Sequence, residues 1–230
     1  MKFVRHGAPG AEKPGMIDEQ GRVRDLSMMV RDFEGKALDP DELRKLAALE
    51  PARLPLVEAG TRLGAPVARI GNFIAIGLNY ADHADETGAK IPDEPIMFNK
   101  SPSSLSGPND PVTIPPGSTK TDWEVELAIV VGRGGYRIPE AEVMDHVAGY
   151  TICNDISERA WQTERGGQWT KGKSAPTFGP LGPWLVTPDE IADIEALPMF
   201  LDLNGQRVQT GNTATMIFTP RNLCLLYTSS

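Results

Sequence analysis

Three carboxylates occupy the stretch "DWEVEL" at 122–127, and two of them flank a valine just before the apolar run "AIVVG". A strand alternates its side chains between faces, so Asp122, Glu124 and Glu126 share one face, opposite Trp123, Val125 and Leu127. An unpaired carboxylate beside a core costs several kcal/mol, on the order of the desolvation penalties of buried ions, so such a face needs either solvent or a cation. A second acidic position ends another apolar run in "GYTICNDISERAWQ", where Asp155 precedes a helix-like segment carrying Arg159 and Gln162. Asp155 suits two roles, the N-cap of that helix or a third oxygen ligand beside Glu124 and Glu126. Three carboxylates without intervening Cys or His fit a hard cation, Mg2+ or Mn2+, that keeps positions for water or substrate oxygens.

Proton-transfer chemistry has its own candidates. In "GLNYADHADE", His83 and Glu86 are three residues apart and share one face of a helical turn. A carboxylate bonded to one imidazole nitrogen would fix the tautomer and leave the other free to take a proton from water. The alternative is an incidental pair on a surface turn. Tyr80, in the same motif, is a candidate substrate contact. The Gly/Pro-rich "QWTKGKSAPTFGPLG" offers Lys171 and Lys173 to developing negative charge or a substrate carboxylate, and composition does not choose between them.

The elements that must position these groups are mostly short strands. "KFVRH", "PGMID" and "RVRDL" lie between Gly and Pro breaks, and "DPDELRKLAAL" has Asp39 as an N-cap, Pro40 at the first helical position and Leu43, Leu46 and Ala47 at helical spacing. These make a small β-rich N-terminal domain, residues 1–68, closed by one helix. From 69 onward the strands "PIMFNK", "PVTIP", "WEVELAIVV", "VAGYTICND", "GPWLVT" and "MFLDLNGQRVQ" alternate with turns, and Asn204-Gly205 signals a type I′ hairpin. Short helices fall at "YADHADE", "EAEVMDH", "SERAWQ" and "TPDEI". The fold class is α+β, mostly β.

Composition excludes several functions. The 230 residues carry 23 Lys+Arg against 31 Asp+Glu, a formal charge of -8, which gives no attraction to nucleic acid or an anionic membrane. No apolar run reaches the ~20 residues that span a bilayer and the first residues lack a signal peptide, so the cytoplasm is the expected compartment. Two cysteines, Cys153 and Cys224, form no CxxC pair, so neither a thiolate zinc site nor a disulfide framework is indicated.

Six motifs in order, "IGLNYADHADE", "PIMFNK", "DWEVELAIVVG", "GYTICNDISERAWQ", "KGKSAPTFGPLGPWLVT" and "NGQRVQTGNTATMIF", together resemble the fumarylacetoacetate hydrolase family. The resemblance implies a mixed β-roll catalytic domain, residues 69–230, in a homodimer with a Mg2+ or Mn2+ site. It puts the metal ligands on Glu124, Glu126 and Asp155, the catalytic dyad on His83 and Glu86, the loop lysine on Lys173 and a pocket lysine on Lys100. It gives Asp122 no ligand role. The expected reaction is hydrolytic cleavage of a carbon-carbon bond in a small 2,4-dioxo acid, with Arg159 or Gln162 orienting a remote group. Ureidoglycolate lysis, decarboxylation or isomerisation of 2-oxo acids are the alternatives within the family, and an inactive remnant is the alternative outside it. The family pattern runs on past the helix expected in "FTPRNLCLLYTSS", whose Leu223, Leu226 and Tyr227 make an apolar stripe; the expectation is therefore a chain shortened at its C-terminus.

Overall fold

The structure is a computed structural model that describes residues 1–229, with side chains through Leu226. The N-terminal stretch forms β1 (Lys2–His6), β2 (Lys13–Ile17) and β3 (Val23–Asp25), paired antiparallel in that order. Helix α1 (Pro40–Ala47) begins as read: the Asp39 carboxylate accepts the Asp41 N–H, and Pro40 sits where a missing N–H is harmless. β4 (Leu63–Gly64) returns to β1. β5 (Phe73–Gly77) leads to helix α2 (Ala81–Thr87), and β6 (Ile96–Lys100) comes back against β5 as a separate two-stranded ladder.

The rest of the chain supplies β7 (Leu105–Ser106), β8 (Thr121–Asp122), β9 (Val125–Val131), β10 (Val147–Asn154) and β11 (Ser157–Glu158). Helices α3 (Arg159–Thr163) and α4 (Thr170–Lys173) follow, then β12 (Gly179–Val186), the hairpin β13 (Pro198–Leu203) and β14 (Gln206–Asn212), and α5 (Pro220–Ser229). The main sheet has eight strands, six of them in the order β3-β2-β1-β12-β10-β9, with β4 on β1 and β7 on β12. Only the β7–β12 pair among these is parallel. The α+β, mostly β class read from the sequence is the fold observed.

The sheet crosses residue 68. Lys2 pairs with Val186 and Phe3 with Leu185, so the first strand is zipped to the twelfth. The main core crosses it too, with Phe3, Met16, Phe33 and Leu43 packed against Ala148, Leu181 and Leu185. Removing that much apolar area from water is the chief stabilising term of the fold, roughly 25 cal/mol per Å². A smaller core under β9 and β10 joins Val143, Val147 and Tyr150 to Cys224 of α5. Leu223 and Leu226 of α5 line the cavity described below, whereas Tyr227 lies outside the described side chains.

Local departures from the sequence reading have identifiable causes. "PVTIP" is not a strand: Pro111, Pro115 and Pro116 remove N–H donors, and Thr113 donates its N–H to the Thr177 hydroxyl instead. The strand expected from Trp123 starts at Val125, because Glu124 donates its N–H to the Asn154 side chain and accepts the Asp155 N–H on its carbonyl. Two expected helices, in "EAEVMDH" and "TPDEI", are single 3₁₀ turns at Val143–His146 and Pro188–Glu190. The hairpin is as read, with Asn204 and Gly205 both at positive φ, 52° and 80°, as a type I′ turn requires. Among the described residues no helix is long and apolar enough to cross a membrane.

Candidate active site

β9 and β10 run antiparallel with Val125 opposite Asn154 and Glu126 opposite Cys153, which brings the acidic end of one strand beside the Asn-Asp end of the other. Asp155 is not the cap of α3. That role belongs to Glu158, whose carboxylate accepts the Ala160 N–H at 3.2 Å and the Lys120 N–H at 3.0 Å. Asp155 is thereby left to face two lysines.

Lys173 Nζ donates to Asp155 Oδ2 at 2.7 Å and to Glu124 Oε2 at 2.5 Å. Lys100 Nζ donates to Asp155 Oδ1 at 2.6 Å and to the carbonyl of Lys173 at 2.5 Å. Lys100 and Lys173 are both buried, with 1% and 2% of their surface exposed. Burial works against the charge of Asp155, but Lys173 and Lys100 outweigh it and hold the carboxyl below its usual range. Burial likewise lowers Lys100, with Asp155 opposing.

The cluster continues outward. Arg159 donates to Glu124 Oε1 at 2.6 Å, to Asp122 Oδ2 at 2.9 Å and to Gln162 Oε1 at 3.1 Å. Asp122 and Glu124 thus share Arg159 as a partner. Glu126 and Tyr80 both line the cavity described below. Burial pushes the Glu126 carboxyl up to about 8, and the charges of Glu124 and Asp155 act in the same direction, against Lys173 and the nearby Tyr80 hydroxyl. Tyr80 is raised by burial and then by Glu126.

Lysine choice is decided by α4. Its Gly172 packs so closely on α3 that a Cβ there would lie 2.5 Å from the Gln162 nitrogen, and this approach carries Lys173 inward past the Phe98 ring, 5.0 Å from its centroid. Lys171 is exposed and donates to the Arg165 carbonyl. Reading this segment as a loop hid the one-turn helix that makes the difference.

A cavity of about 720 Å³ opens beside the cluster. Its polar lining includes Tyr80, Lys100, Glu126 and Asp155 along with Lys36, Asp39, Arg69 and Arg133, and Phe73, Ala75, Leu127 and Ile129 supply much of its apolar wall. That combination of a largely apolar hollow with a few convergent charges is usual for a small-molecule site. His83 and Glu86 stand apart from it. They lie on α2 with side chains 53% and 78% exposed, and Nδ1 is 3.9 Å from Oε2, beyond hydrogen-bond range. α2 nevertheless springs from the rim, since Tyr80 immediately precedes it.

As the side chains stand, no three His, Cys, Asp or Glu groups among the described residues surround one point closely enough to hold a metal ion. The ammonium of Lys173 lies between Glu124 and Asp155. The donor set itself fits a divalent cation, since Glu124, Glu126 and Asp155 offer only carboxylate oxygens. Sequence reasoning missed Glu158, which is fully buried, and Gln209, whose carboxamide meets the Val125 backbone. An acid directly before a helical run was the available signal for Glu158.

The architecture and this charged cavity define a member of a β-rich enzyme class, and the comparisons agree. The profile described as fumarylacetoacetate (FAA) hydrolase C-terminal matches residues 72–230. A Burkholderia multivorans protein carrying a provisional hydrolase name is 55% identical over 230 residues, which is all of this chain and 81% of that one. The solved fumarylacetoacetate hydrolase of Exiguobacterium antarcticum superposes with a TM-score of 0.83 at 29% identity, over 100% of this chain and 81% of the other. A 5-carboxymethyl-2-hydroxymuconate delta-isomerase from Mycobacterium smegmatis gives 0.76 at 31% identity, over 100% and 82%. The chain belongs to the fumarylacetoacetate hydrolase family.

Proposed function

We propose that the protein is a Mg2+- or Mn2+-dependent hydrolase that cleaves a carbon-carbon bond in small 2,4-dioxo acids of the acylpyruvate type. The observation that carries this reading is the buried bridge from Lys173 to both Glu124 and Asp155 beside a cavity of substrate size. Glu124, Glu126 and Asp155 would hold the ion, which when bound would supply Lewis-acid polarisation of a 2-oxo acid. Lys100 keeps Asp155 ionised and ties it to the Lys173 backbone. Lys173 stabilises the negative charge that develops as the bond breaks. Arg159, steadied by Asp122 and Gln162, orients a remote substrate group, and Tyr80 contacts substrate at the cavity wall. His83, exposed on α2 with Glu86 3.9 Å away, would have to swing to the cavity and close on Glu86 to take the proton from the attacking water. The products are pyruvate, or a related 2-oxo acid, and the acid of the acyl part. The protein works as a cytoplasmic homodimer in this reading, with residues 1–68 sharing the main sheet and core with the rest of the chain.

A second reading, isomerisation of a hydroxydienedioate, draws support from the open His83–Glu86 pair and from the isomerase name of the Mycobacterium smegmatis neighbour. That reaction moves a proton between carbons and needs no activated water; Glu126, with its carboxyl at about 8, has the proton affinity for it. Turnover on acylpyruvates, hydroxydienedioates, oxaloacetate and ureidoglycolate, each with and without Mn2+, separates the readings. Metal-dependent pyruvate release from an acylpyruvate supports the first; a double-bond shift without fragmentation supports the second.

A further inference from the structure

The β13–β14 hairpin stands out from the sheet, and from Asp202 to Thr210 every residue is exposed except Gln209. That side chain turns back to the acidic strand. Its Oε1 accepts the Val125 N–H at 2.8 Å and its Nε2 donates to the Val125 carbonyl at 3.3 Å. β9 is the last strand of the main sheet among the described residues, and Val125 is its first residue. On that edge one carboxamide therefore does what a neighbouring strand would do, satisfying donor and acceptor of a single residue.

Val125 lies between Glu124 and Glu126, so whatever fixes its backbone fixes the spacing of both carboxylates. We infer that Gln209 is a positioning residue for the cation site, holding Glu124 and Glu126 in register through the backbone of the residue between them. The inference rests on the cation-site reading given above. A second bracket of the same kind secures the far end of the strap. The Asn79 carboxamide donates to the Phe218 carbonyl at 3.0 Å and accepts the Phe218 N–H at 2.9 Å, and Tyr80 forms a backbone bridge with Met216. Residues 209–218 thus join the strand that carries Glu126 to the segment that carries Tyr80, two side chains that line the same cavity. Only glutamine fits the first bracket: glutamate keeps the acceptor but loses the donor and adds a charge beside two others, and asparagine is one methylene short.

The test is calorimetric titration of Mn2+ into the full chain as wild type, Gln209→Ala, Gln209→Glu, Glu126→Gln and, as a control on the same hairpin, Gln206→Ala, with melting curves for each. Partners that orient metal ligands are typically worth about 10- to 100-fold in affinity. The expected result is a loss of that size in Gln209→Ala and Gln209→Glu, none in Gln206→Ala, and abolished binding in Glu126→Gln. Should Gln209→Ala fail to melt cooperatively, Gln209→Glu, which retains the bond to the Val125 N–H, decides. Wild-type affinity in a folded Gln209 variant, with binding lost in Glu126→Gln, overturns this inference and leaves the cation site standing. Wild-type affinity in Glu126→Gln overturns the cation site and this inference with it.

Discussion

Lys173 reaches Asp155 at 2.7 Å from inside the protein, and the same ammonium reaches Glu124 at 2.5 Å. One cation thus holds two carboxylates that come from different strand ends, and removing it strands both. Loss of one member of a buried ion pair costs about 3–5 kcal/mol because the partner is left uncompensated. Lys173→Met is expected to lose stability on that scale in urea melts without divalent ions, and to regain part of it when Mn2+ is added. Equal stability of mutant and wild type in EDTA would show that the bridge contributes nothing.

Glu126 gives the stability a pH dependence of definite sign. Its carboxyl rises from an ordinary 4.5 to about 8 in the folded chain, so between those values the native state holds a proton that the unfolded chain has released. Its contribution is therefore full below 4.5, falls as pH rises through this window, and is at its least favourable above about 8. Without divalent ions, Glu126→Gln is expected to flatten that fall and to melt above wild type at pH 8. The shift is about 2–4 °C for each kcal/mol relieved in a chain of this size. Parallel melting-temperature curves for the two proteins from pH 5 to 8 would contradict the assignment.

How far the sequence carried depended on where the deciding contact was local. The acidic cluster at 122–126 is visible in the sequence, although Glu124 falls just before β9, and the Asn204-Gly205 turn and the Asp39 cap are set by residues within a few positions. Asp155 was ambiguous because its role depends on Glu158, three residues on, taking the cap and on two lysines 55 and 18 positions away. Lys173 was inseparable from Lys171 until the close approach of Gly172 to α3 set which one faces inward. Gln209 was invisible for the same reason: its partner, Val125, lies 84 residues away.

Glu158 should prove structural. Its buried carboxylate accepts N–H groups of Thr119, Lys120 and Ala160 and the hydroxyl of Ser118, tying the loop before β8 to the start of α3. Glu158→Ala leaves those donors unpaired at about 1–3 kcal/mol each for any that stay buried. The expected outcome is a clear drop in melting temperature with Mn2+ affinity weakened only where folding is lost. A fully stable Glu158→Ala protein would refute this.

His83 separates the two reactions. In a hydrolase, His83→Ala should slow pyruvate release by about 10²- to 10⁴-fold while the affinity for oxalate, a substrate analogue, changes little. An isomerase working through Glu126 would be indifferent to the same substitution. Stopped-flow assays of both reactions on the mutant decide it.

The most direct measurement of the central claim follows an acylpyruvate by product analysis, with the purified chain in EDTA and in Mn2+, for wild type and Glu126→Gln. The account predicts equimolar pyruvate and carboxylic acid from the wild type in Mn2+, none in EDTA, and none from the mutant. Cleavage that proceeds equally in EDTA, or undiminished in Glu126→Gln, would contradict it.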